Sequence, residues 1–172
     1  MRTVLSFLKK LKNNNNRDWF IANKEEYNTA REEFTELISL VINGFGKYDT
    51  SIKELTAGNT IFRIYRDVRF SKDKTPYKAN FAASLQKGGK KTGYAGYYIH
   101  IEPGNSFVGG GIWQPDAETT KKIRQEIDYN QEEFLSIINN RSFAKLYGDL
   151  HTHDFNLKRI PKGYSPQHPL EK

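Results

Sequence analysis

The stretch Tyr97–Trp113, YYIHIEPGNSFVGGGIW, decides the fold class of this chain. Its two ends, Tyr97–Glu102 and Phe107–Trp113, are alternating or rich in aromatic and β-branched residues, which is typical of β-strands. The Pro-Gly-Asn sequence at 103–105 between them favours a tight turn. The stretch therefore predicts an antiparallel hairpin.

Two further strands are predicted upstream of this hairpin, at Thr60–Arg66 and Ala79–Leu85, from the same enrichment in aromatic and β-branched residues. The simplest arrangement of the four strands is an antiparallel meander. Three consecutive glycines at 109–111 are unusual within a strand. They predict a bulge, or the close approach of a helix, a ligand or a second backbone.

Helical patterns lie on both sides of the strands. The predicted helices cover residues 3–12, 17–22, a segment from Asn23 to Gly44 or Gly46, 117–127, 131–138 and 142–146. Helices, then strands, then helices predict an α+β fold with an antiparallel sheet of about four or more strands flanked by N-terminal and C-terminal helices. We expect a single domain over residues 1–172, with an extended tail from Leu157.

Positive charge is concentrated in one segment. The chain carries a net charge of +7, and the segment Arg63–Lys91 alone has nine cations and two anions, so the remainder is neutral. A local excess of this kind indicates an anionic partner more strongly than a diffusely basic chain does. For Lys87–Lys91 a solvated loop is the alternative.

Composition excludes several classes of protein. The chain has no Cys, which excludes disulfides, thiolate metal ligands and a cysteine nucleophile. Its apolar runs are shorter than the roughly 18 residues that a membrane span needs, and the N-terminus lacks the pattern of a signal peptide. We expect a cytoplasmic protein without a membrane partner, and no motif predicts a cofactor.

Three segments resemble one known family. They are FLKKLKNNNNRDWFIANKEEY at 7–27, FRIYRDVRFSKDKTPYK at 62–78 and YYIHIEPGNSFVGGGIWQPD at 97–116. Together they resemble the uncharacterised microbial family named domain of unknown function 2461, across nearly all of the chain. The resemblance implies no activity, substrate or cofactor. It also implies further helical sequence beyond KGYSPQHPL at 162–170, so we expect a C-terminal part of the family pattern to be missing.

The leading candidate site is Arg63–Lys78. In a strand, alternate residues share a face. One face would carry Arg63, Tyr65, Asp67 and Arg69, and the other Phe62, Ile64, Arg66, Val68 and Phe70. Whichever face is buried therefore contains an arginine that needs a carboxylate or a bound anion. We predict a site for a phosphorylated or other anionic ligand, made by Arg63, Arg66, Arg69, Lys74, Tyr77, Lys78 and Tyr98. An internal Arg–Asp network that braces the sheet is the alternative.

Nucleic acid is a second possible partner of this segment. Tyr77 beside Lys74 and Lys78 combines a ring with cations, which suits a nucleotide or a single strand, although ordinary packing is the commoner explanation of a tyrosine. A non-catalytic interaction protein is a further alternative.

His100 and Glu102 share a strand face with Tyr98 and predict an acid–base pair, or two ligands of a metal-assisted hydrolase. A third group would have to come from Asp67 or Asp73, so the catalytic candidates are His100, Glu102 and Asp67. A polar sheet face without chemistry is the alternative.

The sequence predicts no complete metal site. His151-Thr152-His153-Asp154 resembles part of a metal-hydrolase signature, but only His168 follows it, within a proline-rich tail. The glycine-rich stretches lack the strand–loop–helix context of a phosphate-binding loop.

Overall fold

The computed structural model describes residues 1–148 and 159–165. Within them the chain forms seven α-helices and one three-stranded antiparallel sheet, which confirms the α+β class. The elements are α1 (Arg2–Asn13), α2 (Arg17–Ala22), α3 (Lys24–Phe45), α4 (Ala57–Thr60), β1 (Phe81–Gln86), β2 (Gly96–Ile101), β3 (Phe107–Gly111), α5 (Ala117–Tyr129), α6 (Gln131–Ile138) and α7 (Arg141–Tyr147). They belong to two compact units, residues 1–115 and the residues after Pro115. The single domain stays a prediction.

Apolar residues at helical spacing produce the two long helices of the first unit, as predicted. The buried residues are Val4, Phe7, Leu8 and Leu11 of α1 and Tyr27, Ala30, Phe34, Ile38 and Ile42 of α3. Glu25 and Glu26 lie in the first turn of α3, where the helix dipole favours negative charge. Asn23 precedes this helix, but its side-chain amide donates to the Trp19 carbonyl instead of capping it.

Aromatic rings fill the space between the helices and the sheet. The ring of Phe81 on β1 lies 5.4 Å from Phe34 of α3 and 6.3 Å from Phe7 of α1. Ring pairs at these separations add to the stabilisation that burial of each ring supplies. The inner face of β1 is therefore attached to both helices by one cluster.

The sheet has the order β1-β2-β3, with both pairs antiparallel. β1 and β2 pair from Phe81 opposite Ile101 to Gln86 opposite Gly96. A side chain at position 96 would place its Cβ 2.3 Å from the Leu85 carbonyl oxygen, so only glycine fits there.

The predicted strand at Thr60–Arg66 is wrong, and within the described residues the sheet has three strands instead of the expected four or more. The short helix α4 occupies its start, because Thr56 and Asn59 form a capping box and the Thr60 hydroxyl donates to the Ala57 carbonyl at 3.0 Å. Beyond α4, Ile61 forms only an isolated bridge with Ala83 of β1.

The glycines of β3 do not form the predicted bulge in the described part of the chain. β2 and β3 pair residue for residue from Gly96 opposite Gly111 to His100 opposite Phe107, without a bulge. A Cβ at Gly109 would meet no atom within 4 Å, so no neighbouring backbone requires glycine there.

The second unit contains the three helices predicted after the sheet. Asp116 caps α5 by accepting from the Thr119 N–H at 2.7 Å, and Asn140 caps α7 through the Ser142 N–H at 2.9 Å. Of the predicted extended tail, residues 159–165 contain a turn, and the remainder lies outside the described residues.

Within residues 1–148 and 159–165, none of the helices has the length and apolar character needed to cross a membrane. The cytoplasmic compartment stays a prediction.

Candidate functional site

Residues 64–78 form a loop closed at its base by two backbone hydrogen bonds. The Lys78 N–H donates to the Ile64 carbonyl at 2.8 Å, and the Arg66 N–H donates to the Pro76 carbonyl at 2.9 Å. Between these bonds Tyr65 forms an isolated bridge with Tyr77. We call the enclosed residues 66–75 the basic loop.

Arg66 is the centre of a polar network inside the basic loop. Its side chain is 25% exposed, and its Nη1 donates to Asp73 Oδ2 and to Thr75 Oγ1. Its Nη2 lies 3.4 Å from Ser71 Oγ. The Thr75 N–H, and next the Arg66 guanidinium, hold the pKa of Asp73 at about 2. The partner that the sequence required for Arg66 is therefore present within the loop.

Arg69 and Lys74 also have internal partners. The Nε and Nη2 groups of Arg69 donate to the two carboxylate oxygens of Asp67 at 3.0 and 2.7 Å, which lowers the pKa of Asp67 and raises that of Arg69. The Lys74 ammonium donates to the Val68 carbonyl at 2.9 Å. Both side chains thus help to shape the loop.

Tyr77 belongs to the core. Its buried ring stacks on Phe20 with centroids 4.0 Å apart, and burial raises the pKa of its hydroxyl. This ring is therefore not available as a stacking face among the cations. The side-chain amide of Asn15 binds the backbone of Tyr77 twice, accepting from its N–H at 3.1 Å and donating to its carbonyl at 2.9 Å.

An open groove of about 390 Å³ lies between the basic loop, the end of α1 and the residues that lead into β1. Its lining includes Lys12, Asn15, Arg66, Asp73, Lys78 and Asn80. Three cationic side chains and one carboxylate thus surround the groove, which leaves an excess of positive charge.

Lys78 is the least compensated cation of this groove. It is half-buried, and its ammonium lies 5.6 Å from the centroid of the Phe62 ring. Burial lowers the pKa of Lys78, and the positive charges of Arg63 and Lys91 lower it further. No carboxylate of residues 1–148 and 159–165 lies within 4.0 Å of its ammonium.

The three side chains predicted to share a face of β2, Tyr98, His100 and Glu102, lie together, with His100 in contact with the other two. His100 is 8% exposed, and its Nε2 lies 3.1 Å from Glu102 Oε2, while its Nδ1 lies 3.3 Å from Tyr98 Oη. The ring of Phe107 stacks on the imidazole at 4.9 Å. The hydrogen bond with His100 lowers the pKa of Glu102, whereas burial raises the pKa of Tyr98.

Close polar contacts connect these side chains to the groove. The Asn80 amide nitrogen lies 3.2 Å from His100 Nε2, and the Lys12 ammonium lies 3.8 Å from Glu102 Oε1. Asn80 and Lys12 both line the groove. The His100–Glu102 pair therefore lies beside the groove, although His100 itself is shielded.

The structure does not add a third metal ligand to this pair. Asp67 and Asp73 are paired with arginines, and no cluster of three His, Cys, Asp or Glu side chains suited to a metal ion occurs in residues 1–148 and 159–165. The motif at 151–154 and His168 lie outside the described residues.

Sequence reasoning missed the groove residues contributed by other segments. Lys12 and Asn15 come from the end of α1 and the turn after it, and Asn80 immediately precedes β1. The four consecutive asparagines at 13–16 indicate that some of these side chains bind other segments, because a turn alone does not require so many amides. Their partners became visible only in the folded chain.

The chain matches no curated protein and no solved structure. A family model, however, matches residues 3–172, and it is the model of the conserved hypothetical proteins named DUF2461. This match covers both the helical layer and the residues of the groove, and it confirms the resemblance seen in the sequence. The chain therefore belongs to the DUF2461 family.

Proposed function

We propose that the groove beside the basic loop binds a phosphorylated or other anionic ligand. The observation that carries this proposal is Lys78, a half-buried ammonium near Arg63 and Lys91 that has no carboxylate partner in the described residues. Burial and like charges both disfavour the charged form of a lysine. A bound anion would offset both effects.

Arg66 supplies a second, pre-positioned cation. A guanidinium has five N–H donors, and the bonds to Asp73, Thr75 and Ser71 engage three of them. The other two have no partner among the described residues. Because Asp73 already orients the guanidinium, little side-chain freedom remains to be lost when a ligand binds.

The charge of the groove favours a ligand that is an anion. Lys12, Arg66 and Lys78 line the groove together with Asp73, and Glu102 lies 3.8 Å from the Lys12 ammonium, so one positive charge is left without a carboxylate. A phosphate monoester carries between about 1.5 and 2 negative charges at neutral pH and accepts several hydrogen bonds. A phosphate group therefore supplies both the negative charge and the several acceptor oxygens that the N–H donors of Lys78 and Arg66 can bind.

Calorimetric titration with inorganic phosphate at low ionic strength tests the proposal. We expect saturable binding to the unmodified protein and a loss of at least about tenfold in affinity in Lys78→Met, which corresponds to about 1.4 kcal/mol for one charge-assisted contact. Lys72→Met is the matched control, because Lys72 is an exposed lysine of the same loop that does not line the groove. Its affinity should stay within about twofold.

Lys12→Met provides a second variant on the opposite side of the groove and should also weaken binding. Circular dichroism of each variant checks that the fold is kept. Equal affinities in Lys78→Met and Lys72→Met, or no saturable phosphate binding at all, would overturn the proposal.

A further inference from the structure

One aromatic side chain of the basic loop points away from the protein. Phe70 is 96% exposed, whereas the nearby Tyr77 is buried. Burial in water-excluded surroundings is the usual state of a phenylalanine. Its full exposure within an internally bonded loop is therefore a feature that packing does not explain.

The turn that carries Phe70 is ordered by hydrogen bonds on both sides. The Arg69 N–H donates to Asp67 Oδ1 at 3.3 Å, and the Ser71 N–H donates to the Val68 carbonyl at 3.3 Å. The Lys74 ammonium donates to the same Val68 carbonyl. These bonds hold Phe70 at the outer end of the basic loop.

One cation lies against this ring, and others belong to the same segment of the chain. The guanidinium of Arg69 lies 5.9 Å from the centroid of Phe70, and Arg63 and Lys72 are also exposed. Residues 63–78 contain six cations and two anions. An exposed ring among cations is the arrangement with which proteins hold single strands, since the ring stacks on a base and the cations contact phosphates.

We propose that the basic loop binds single-stranded nucleic acid, with a base stacked on Phe70 and the phosphodiester backbone running past Arg63 and Lys72 into the groove. This inference rests on the proposed anion site, because it makes the groove around Lys78 the place of one backbone phosphate. In this proposal the ring that stacks on a base is Phe70, and not Tyr77 as the sequence indicated.

The surroundings of Phe70 favour a single strand over two other partners. A duplex hides the faces of its bases, so a lone ring finds no stacking partner along it. A lipid surface requires a wider apolar area, yet the chain neighbours of Phe70 are Arg69 and Ser71. Stacking needs one ring face and nearby cations, and both are present.

Fluorescence anisotropy with a labelled oligonucleotide of about 12 nucleotides tests the inference, since single-strand sites of this kind cover about 4–16 nucleotides. Phe70→Ala should weaken binding by about tenfold, as the loss of one base–aromatic stack does, and Phe70→Trp should retain it. Tyr48→Ala is the matched control, because Tyr48 is a 90% exposed ring elsewhere in the first unit. It should bind as the unmodified protein does.

Salt dependence separates stacking from charge. Phe70→Ala should leave the slope of log affinity against log salt unchanged, whereas Lys72→Met should lower its magnitude by about 0.7, the value for one phosphate contact on a single strand. Lys72→Met should keep its affinity for inorganic phosphate. That combination assigns Lys72 to the strand and not to the groove.

Several outcomes would overturn the inference. They are equal oligonucleotide affinity in Phe70→Ala and Tyr48→Ala, equal binding of a duplex of the same sequence, or binding to vesicles of anionic lipid with no binding of the oligonucleotide. If phosphate still binds through Lys78 in these cases, the anion site stands and only its assignment to nucleic acid fails. Phe70-dependent oligonucleotide binding without phosphate binding would instead remove the groove from the interface.

Discussion

The aromatic core of the first unit and the basic loop differ in what holds them together. In the core, Phe34 of α3 and Phe7 of α1 are fully buried and contact Phe81 of β1. In the basic loop, Phe70 is exposed and the shape depends on hydrogen bonds centred on Arg66. Burial of apolar area holds the core, whereas pairs of specific polar atoms hold the loop. The two regions should therefore respond very differently to substitution.

The largest effect is expected in the core. Phe34→Ala should lower the free energy of unfolding by about 3–5 kcal/mol, because it removes a buried ring and leaves a cavity beside Phe81. Leu40→Ala on the same helix should change it by less than about 0.5 kcal/mol, because Leu40 is 69% exposed. Chemical denaturation measures both values. Similar losses in the two variants would contradict the assignment of the core.

A smaller effect is expected in the sheet, where packing acts through a backbone contact. Gly96→Ala should lower the free energy of unfolding by about 1–3 kcal/mol, because the new methyl group would overlap the Leu85 carbonyl. Gly109→Ala on β3 is the matched control, because its Cβ would meet no atom within 4 Å. It should be neutral or stabilising. Equal effects of the two substitutions would show that β1 and β2 approach less closely than described.

The smallest effect on global stability is expected in the basic loop. Asp73→Asn should leave the unfolding midpoint close to that of the unmodified protein, because the Asp73 side chain is 58% exposed to solvent. It should instead loosen the Arg66 guanidinium, because the amide of Asn keeps an acceptor oxygen for the Thr75 N–H but loses the charge and the second acceptor that bind Arg66. NMR shifts of the guanidinium detect this change. A large loss of global stability would mean that the hydrogen bonds of the basic loop are needed for the fold as the aromatic core is.

The same network predicts a pH dependence with a definite sign. The pKa of Asp73 is lowered from 3.8 to about 2, so its stabilising effect is complete above about pH 4 and is lost as the pH falls through about 2. The Thr75 amide shift should follow this titration in the unmodified protein and not in Asp73→Asn. A midpoint near 3.8 would mean that the carboxylate is unpaired in solution.

The core could be predicted from the sequence, because buried positions recur at regular spacing along a helix or strand and are occupied by apolar residues. Apolar residues at helical spacing located α1 and α3, and the pattern of Tyr97–Ile101 located β2. The strand expected at Thr60–Arg66 failed for a local reason. The capping box of Thr56 and Asn59 stabilises a helical turn at the start of this segment. The strand prediction used only the β-propensity of residues 60–66 and did not include this upstream signal.

The site could be predicted only in part. Sequence alternation showed that Arg66 needed a partner, but Asp73 and Thr75 reach it through the curvature of the loop, which spacing does not encode. Lys12 and Asn15 are more than 50 positions away in the chain. No local pattern connects them with Lys78, because only the packing of α1 near the start of β1 creates the groove.

The amide of Asn15 has a consequence for how this protein avoids unwanted association. Tyr65 and Tyr77 face each other but share no hydrogen bond. The residues on either side of them make the two bonds, from the Arg66 N–H to Pro76 and from the Lys78 N–H to Ile64. The N–H and carbonyl of Tyr77 therefore point away from Tyr65, to the other side of its extended segment. There they would form an edge on which another chain could add a strand. The Asn15 side chain binds both groups and takes the place of that strand. A single asparagine thus leaves neither backbone group of Tyr77 free to pair with a strand of another chain.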